Sequence, residues 1–81
     1  MDGNKYIIVE ECGIELAIIF HHILTHADVA RAYGRDNVIA AGFFYASDVG
    51  EVKVYGESWS LGGVVSRPED AKIISKSIWG I

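Results

Sequence analysis

One cysteine, one proline and no long apolar run are what this sequence most lacks, and each shortage excludes a class of protein. Cys12 alone cannot form an internal disulfide, so packing must hold the fold, and a reducing, cytoplasmic setting is expected. The longest apolar runs are about a strand in length, far below the roughly 20 residues of a membrane helix. The opening Met1-Asp2-Gly3-Asn4-Lys5 lacks the basic-then-apolar order of a signal peptide. No membrane partner is expected. Charge is scarce too, at 22% of residues, with seven Lys and Arg against eleven Asp and Glu. The basic residues are scattered and the net charge is −4; nucleic acid is therefore not an expected partner, because neutralising phosphates requires clustered cations.

What is abundant is apolar residue, 51% of the 81. That is too much for a disordered tail and too short a chain for two cores, so residues 1–81 are expected to form a single domain.

The strongest punctuation lies between Gly56 and Asp70, where Gly-Glu-Ser-Trp-Ser-Leu-Gly-Gly-Val-Val leads into Ser-Arg-Pro-Glu-Asp. Ser66 with Glu69 three residues on reads as a capping box, and Pro68 suits a first helical turn. A helix is expected from Arg67 to about Ile78, burying Ala71, Ile74 and Ile78. Earlier in the chain, Tyr6 to Glu10 and Ile14 to Phe20 read as strands of one hairpin, with Gly13 supplying the positive φ of its turn. Thr25, with Asp28 at the third position, caps a short helix that carries Ala27, Ala30 and Tyr33 and ends at Gly34. After the polar Arg35-Asp36-Asn37, Val38 to Ala46 and Glu51 to Glu57 read as a second hairpin around Ser47-Asp48-Val49-Gly50. The order ββαββα hints at a weak internal duplication. It predicts an α+β domain, a four-stranded, mainly antiparallel sheet with two helices on one face.

The strands conflict with that arrangement. Ala17 and Ile19 alternate with an apolar set, as do Ile39, Ala41 and Phe43 with Ala40, Gly42 and Phe44, so both faces are apolar where one should be polar. A second copy of the chain on the free face is one explanation, giving a homo-oligomer, with a dimer favoured, whose interface holds Ala17, Ile19, Ile39, Ala41 and Phe43. A sheet curled around one core, or a bulge at Gly42, is the other.

Few side chains suggest chemistry. His22 and His26, four apart beside His21, could hold a metal from one helix face, but the glutamate of the zinc motif and a further ligand are missing and the Thr25 cap puts His22 outside the helix, so neither a metal nor any other cofactor is expected. Ser58 and Ser60 do not fit a nucleophile elbow, because Ser60 stands where glycine is needed; hydroxyls bonded to their own loop are the simpler reading. Arg67 opposes the helix macrodipole. With Ser58, Ser60 and Ser66 it could hold a small anionic ligand or nucleotide at the helix start; alternatively it pairs with Glu69, Asp70 or another acid. Tyr55 and Trp59 make a partner-binding hot spot if they share a solvent face, unless the chain turns at Gly56 and tucks Trp59 under the last helix beside Trp79.

Thr25-His26-Ala27-Asp28, Ala41-Gly42-Phe43, Gly56-Glu57-Ser58-Trp59-Ser60-Leu61-Gly62 and Ser66-Arg67-Pro68-Glu69-Asp70 resemble a family of small, uncharacterised bacterial and phage proteins. The resemblance spans most of the chain and implies no activity. It implies a prokaryotic or mobile-element setting, in which short chains often inhibit a host system by occupying a surface. The expected function is thus a non-enzymatic interaction protein that self-associates and binds an unknown macromolecule. A small anionic ligand at Gly56 to Asp70 is the alternative, and an enzyme comes third for want of a nucleophile, base and orienting group.

Overall fold

The computed structural model describes residues 4–47 and 49–79; Asp48 of the expected second turn lies outside the described residues. The chain runs β1 (Asn4–Glu11), β2 (Ile14–Phe20), α1 (His26–Tyr33), a 3-10 turn (Arg35–Asn37), β3 (Val38–Ala46), β4 (Val52–Tyr55), β5 (Glu57–Ser58), β6 (Val64–Val65) and α2 (Asp70–Trp79). The first four strands form one antiparallel sheet in the order β2-β1-β3-β4, and β5 and β6 form a separate small ribbon. The α+β class and the four-stranded sheet with two helices are as the sequence predicts.

The β1-β2 hairpin turns on Cys12 and Gly13 alone, with Glu11 opposite Ile14. Both turn residues have positive φ, 52° and 79°. This is the I′ geometry whose twist matches that of the flanking strands. The first helix begins as expected: Thr25 Oγ1 accepts from Asp28 N–H, and the Asp28 carboxylate accepts from Thr25 N–H. These reciprocal bonds satisfy two donors at the helix start.

The placement of the helices departs from expectation. Ile7 and Val9 of β1 pack with Phe20, Val38, Ala41 and Ala30 of α1, whereas Tyr6 and Ile8, on the opposite face, pack with Ala40, Phe44 and Ile74 of α2. Successive strand residues point to opposite faces, so α1 and α2 lie on opposite sides of the sheet, not on one. The two-sided apolar pattern is real, and the chain's own helices cover it. Neither face needs a second copy.

Three of the five residues assigned to an interface are accordingly used inside the chain. Ala41 is fully buried beneath α1, Ala17 packs against the α2 cluster, and Phe43 is half-buried against His26. Ile39 is displaced by a bulge: Val38 opposes Val9 and Ala40 opposes Ile8, leaving Ile39 as the extra residue, partly exposed. The irregularity is therefore at Ile39 and not at Gly42. At Gly42 the constraint is space, since a Cβ there would come within 2.7 Å of the Tyr55 carbonyl oxygen and 3.0 Å of Ser66 Cβ.

Candidate functional site

The start of α2 is built differently from the capping box that Ser66 and Glu69 suggest. Ser66 Oγ donates to the Gly56 carbonyl at 2.9 Å, and Asp70 caps the turn by accepting from Arg67 N–H at 2.8 Å. Asp70 is fully buried. Its Oδ2 also accepts from the Tyr6 hydroxyl at 2.6 Å, and its Oδ1 accepts from Arg67 Nε at 2.8 Å and lies 2.7 Å from a second guanidinium nitrogen. The guanidinium continues to Glu15 on β2 at 2.8 Å, with Glu69 at 4.0 Å. Burial, followed by the Asp70 hydrogen bond and charge, pushes the Tyr6 phenol far above its ordinary pKa and keeps it a donor.

Arg67 therefore has the acidic partners that its place in a helix start demands. An open cleft of about 400 Å³ does lie there, lined by Ser66, Arg67, Pro68, Ala71 and the β4 residues Val52 to Val54. One guanidinium facing three carboxylates leaves it no free positive charge, and the geometry does not favour an anion at this point. α2 buries Asp70 and Ile74, while Ile78, assigned to its buried stripe, is exposed.

The Gly56 to Val65 segment is an arm clamped over α1. Gly56, with φ 79°, ends β4, and the chain doubles back through β5 and β6. Ser58 is buried, and its Oγ accepts from Leu61 N–H at 3.2 Å. Ser60 Oγ accepts from Ala27 N–H at 3.1 Å, satisfying a free donor at the first turn of α1. Leu61 inserts into the α1-side core, and its carbonyl accepts from Arg35 at 2.9 Å. Ser58 Oγ and Ser60 Oγ lie 3.2 Å apart, and among the described residues neither bonds to a base. Their work is structural.

Between those two pinned serines stands Trp59, 87% exposed. The break at Gly56 has not carried it beneath α2. It borders a cavity of about 230 Å³ together with Lys5, Thr25, His26, Phe43, Glu57 and Ser60. Phe43 stacks on Tyr55 with ring centroids 5.6 Å apart, and Tyr55 reaches Tyr45 at 6.2 Å. Tyr55 and Tyr45 are 44% and 42% exposed. Phe43, Tyr45 and Tyr55 thus form one aromatic cluster on the α1 side of the sheet, anchored to α1 where Phe43 meets His26, and Trp59 faces the same surface across the cavity it shares with Phe43.

Beneath it His26 is buried, donating from Nε2 to the Gly42 carbonyl at 2.9 Å in its neutral tautomer, with Phe20 and Phe43 edge-on to its ring. Burial lowers its pKa, the Gly42 bond opposes that shift, and Lys5 adds to it. The sequence presents His26 only as a candidate metal ligand near the first turn of α1, and it does not mark Tyr45 at all. The alternation of Phe43 and Tyr45 along β3 was the available signal for Tyr45; nothing local marks His26 as buried.

Among the described residues no three His, Cys, Asp or Glu side chains are grouped to hold a metal, and no helix is long and apolar enough to cross a membrane. Comparison of the chain with protein-family models, with curated proteins and with solved structures finds no match in any of the three. Function must be argued from the surfaces themselves.

Proposed function

We propose that this is a non-enzymatic interaction protein that binds a macromolecular partner through Trp59, Tyr55, Tyr45 and Phe43, and that it self-associates. The observation that carries the reading is Trp59: a large aromatic side chain held in solvent by an arm whose flanking residues are fixed by Ser58, Ser60 and Leu61. Leaving such a side chain in water forgoes about 1.5–3 kcal/mol of burial. Holding it on a rigid tip lowers the entropy lost on docking, which is how rigid aromatic anchors gain affinity. Lys53 on β4 and Glu57 on the arm supply the polar rim that surrounds such anchors. The resemblance to small bacterial and phage proteins extends the reading to an inhibitor that occupies the surface of a host protein.

The test is retention of a bacterial protein on immobilised wild-type chain and its loss on the Trp59→Ala and Tyr55→Ala variants. Equal retention by all three would contradict the proposal.

A further inference from the structure

We infer that β2 is the seam of a two-fold dimer, in which the β2 strands of two copies pair antiparallel about Ala17 and join the four-stranded sheets into one of eight strands. This inference rests on the self-association half of the proposed function and supplies its surface. The two edges of the sheet differ. β4 is only four residues long, carries Lys53, and ends at the Gly56 break, all of which discourage further pairing. β2 is seven residues long, keeps unbroken register with β1, and has no proline, lysine or bulge. Its only charged residue is Glu15, already held by Arg67.

The turn fixes which amides of β2 are free. In a two-residue hairpin the pair flanking the turn, Glu11 and Ile14, exchanges hydrogen bonds, and hydrogen-bonded and non-hydrogen-bonded pairs alternate from there. Ile14, Leu16, Ile18 and Phe20 therefore spend their backbone groups on β1, while those of Glu15, Ala17 and Ile19 point outward. Among the described residues none of those three has a backbone partner off the β1 ladder.

A two-fold axis at Ala17 matches this pattern to itself. Ala17 meets the second copy's Ala17, Glu15 meets Ile19 and Ile19 meets Glu15, so all three outward residues form hydrogen-bonded pairs, six bonds in all by this alternation. On the α1 side Leu16 opposes Ile18 and Ile14 opposes Phe20, which covers the exposed Ile14 and Leu16. No like charges are opposed, because the one carboxylate faces an isoleucine and keeps its arginine. That electrostatic self-match favours a second copy over a peptide of another protein.

The experiment is light scattering of the untagged chain over a dilution series, with thiol cross-linking in a Cys12→Asn background. The expected mass is twice the 8.9 kDa of one chain. Ala17→Cys should cross-link under mild oxidation, since paired Cα atoms at that register are about 5.5 Å apart, within disulfide range. Ile14→Cys, about 20 Å from its symmetry mate at the strand rise per residue, should not. Leu16→Lys, at an exposed position, should shift the mass to that of one chain with its circular dichroism unchanged; Ala17→Pro, which removes only an outward N–H, should do the same. A wild-type monomer at every concentration overturns both the seam and self-association. A dimer that survives Leu16→Lys and gives no Ala17→Cys cross-link overturns the seam alone.

Discussion

Tyr6 and Asp70 are joined by a 2.6 Å hydrogen bond across 64 residues of chain, from the middle of the first strand to the start of the last helix. Through Arg67 the same carboxylate is tied to Glu15 on β2. The docking of α2 thus depends on the buried Tyr6–Asp70 pair and its half-buried Arg67 extension as well as on Ile74. Removing one partner from such a network leaves the others desolvated and unpaired, which costs more than the bond itself contributes.

Tyr6→Phe is therefore expected to lower stability by about 1.5–3 kcal/mol, the range for hydrogen bonds to charged groups. Asp70→Ala should cost more, because it leaves the buried Tyr6 hydroxyl and the Arg67 backbone N–H without their acceptor and takes from the guanidinium one of the two carboxylates bonded to it. Urea unfolding of the two variants checks the order. If both fall within 0.5 kcal/mol of wild type, the network does not dock α2.

His26 should make the fold sensitive to mild acid. Its folded pKa lies below the ordinary value near 6.5, so as pH falls through 6.5 the unfolded chain takes up a proton that the folded chain refuses. Stability is fully present above pH 6.5 and declines as pH falls toward the lowered value. Urea midpoints measured from pH 8 to 5 should drop in wild type and drop less in His26→Asn. Equal slopes would remove His26 as the cause.

Gly42→Ala should destabilise by about 1–3 kcal/mol, the cost of overpacking, because the added methyl meets the Tyr55 carbonyl, which is backbone and cannot swing aside. Thermal unfolding reads the effect. A neutral result would mean that the β3-β4 end opens at little cost.

The arm makes opposite predictions for adjacent residues. Leu61→Ala should cost about 2–5 kcal/mol as a core truncation, whereas Trp59→Ala, at an exposed tip, should change stability by no more than about 0.5 kcal/mol. Chemical denaturation of the two variants separates them; a large loss from Trp59→Ala would make Trp59 a structural residue.

Local grammar was legible where the chemistry is local. Thr25 and Asp28 mark α1, Gly13 marks the first turn, and the apolar alternation marks both faces of the central strands as buried. What covers those faces was not legible, because it depends on where two helices far apart in sequence dock. Alternation says that both faces of β1 are buried and cannot say by what. Ser66 and Glu69 formed a convincing capping box on paper, yet Ser66 found a better acceptor in the Gly56 carbonyl, and the cap passed to Asp70, whose burial only tertiary structure supplies. The exposure of Trp59 follows from serine bonds to α1 and the core that no spacing rule encodes.

The most direct test of the central claim places a photo-reactive benzophenone amino acid at position 59, and in parallel at Ile23, which is also strongly exposed but outside the aromatic surface. Irradiation in bacterial lysate should give a discrete adduct of one partner from position 59 and none from position 23. No discrete adduct at 59, or the same adducts from both positions, would contradict the assignment of Trp59 and its aromatic neighbours as the binding surface.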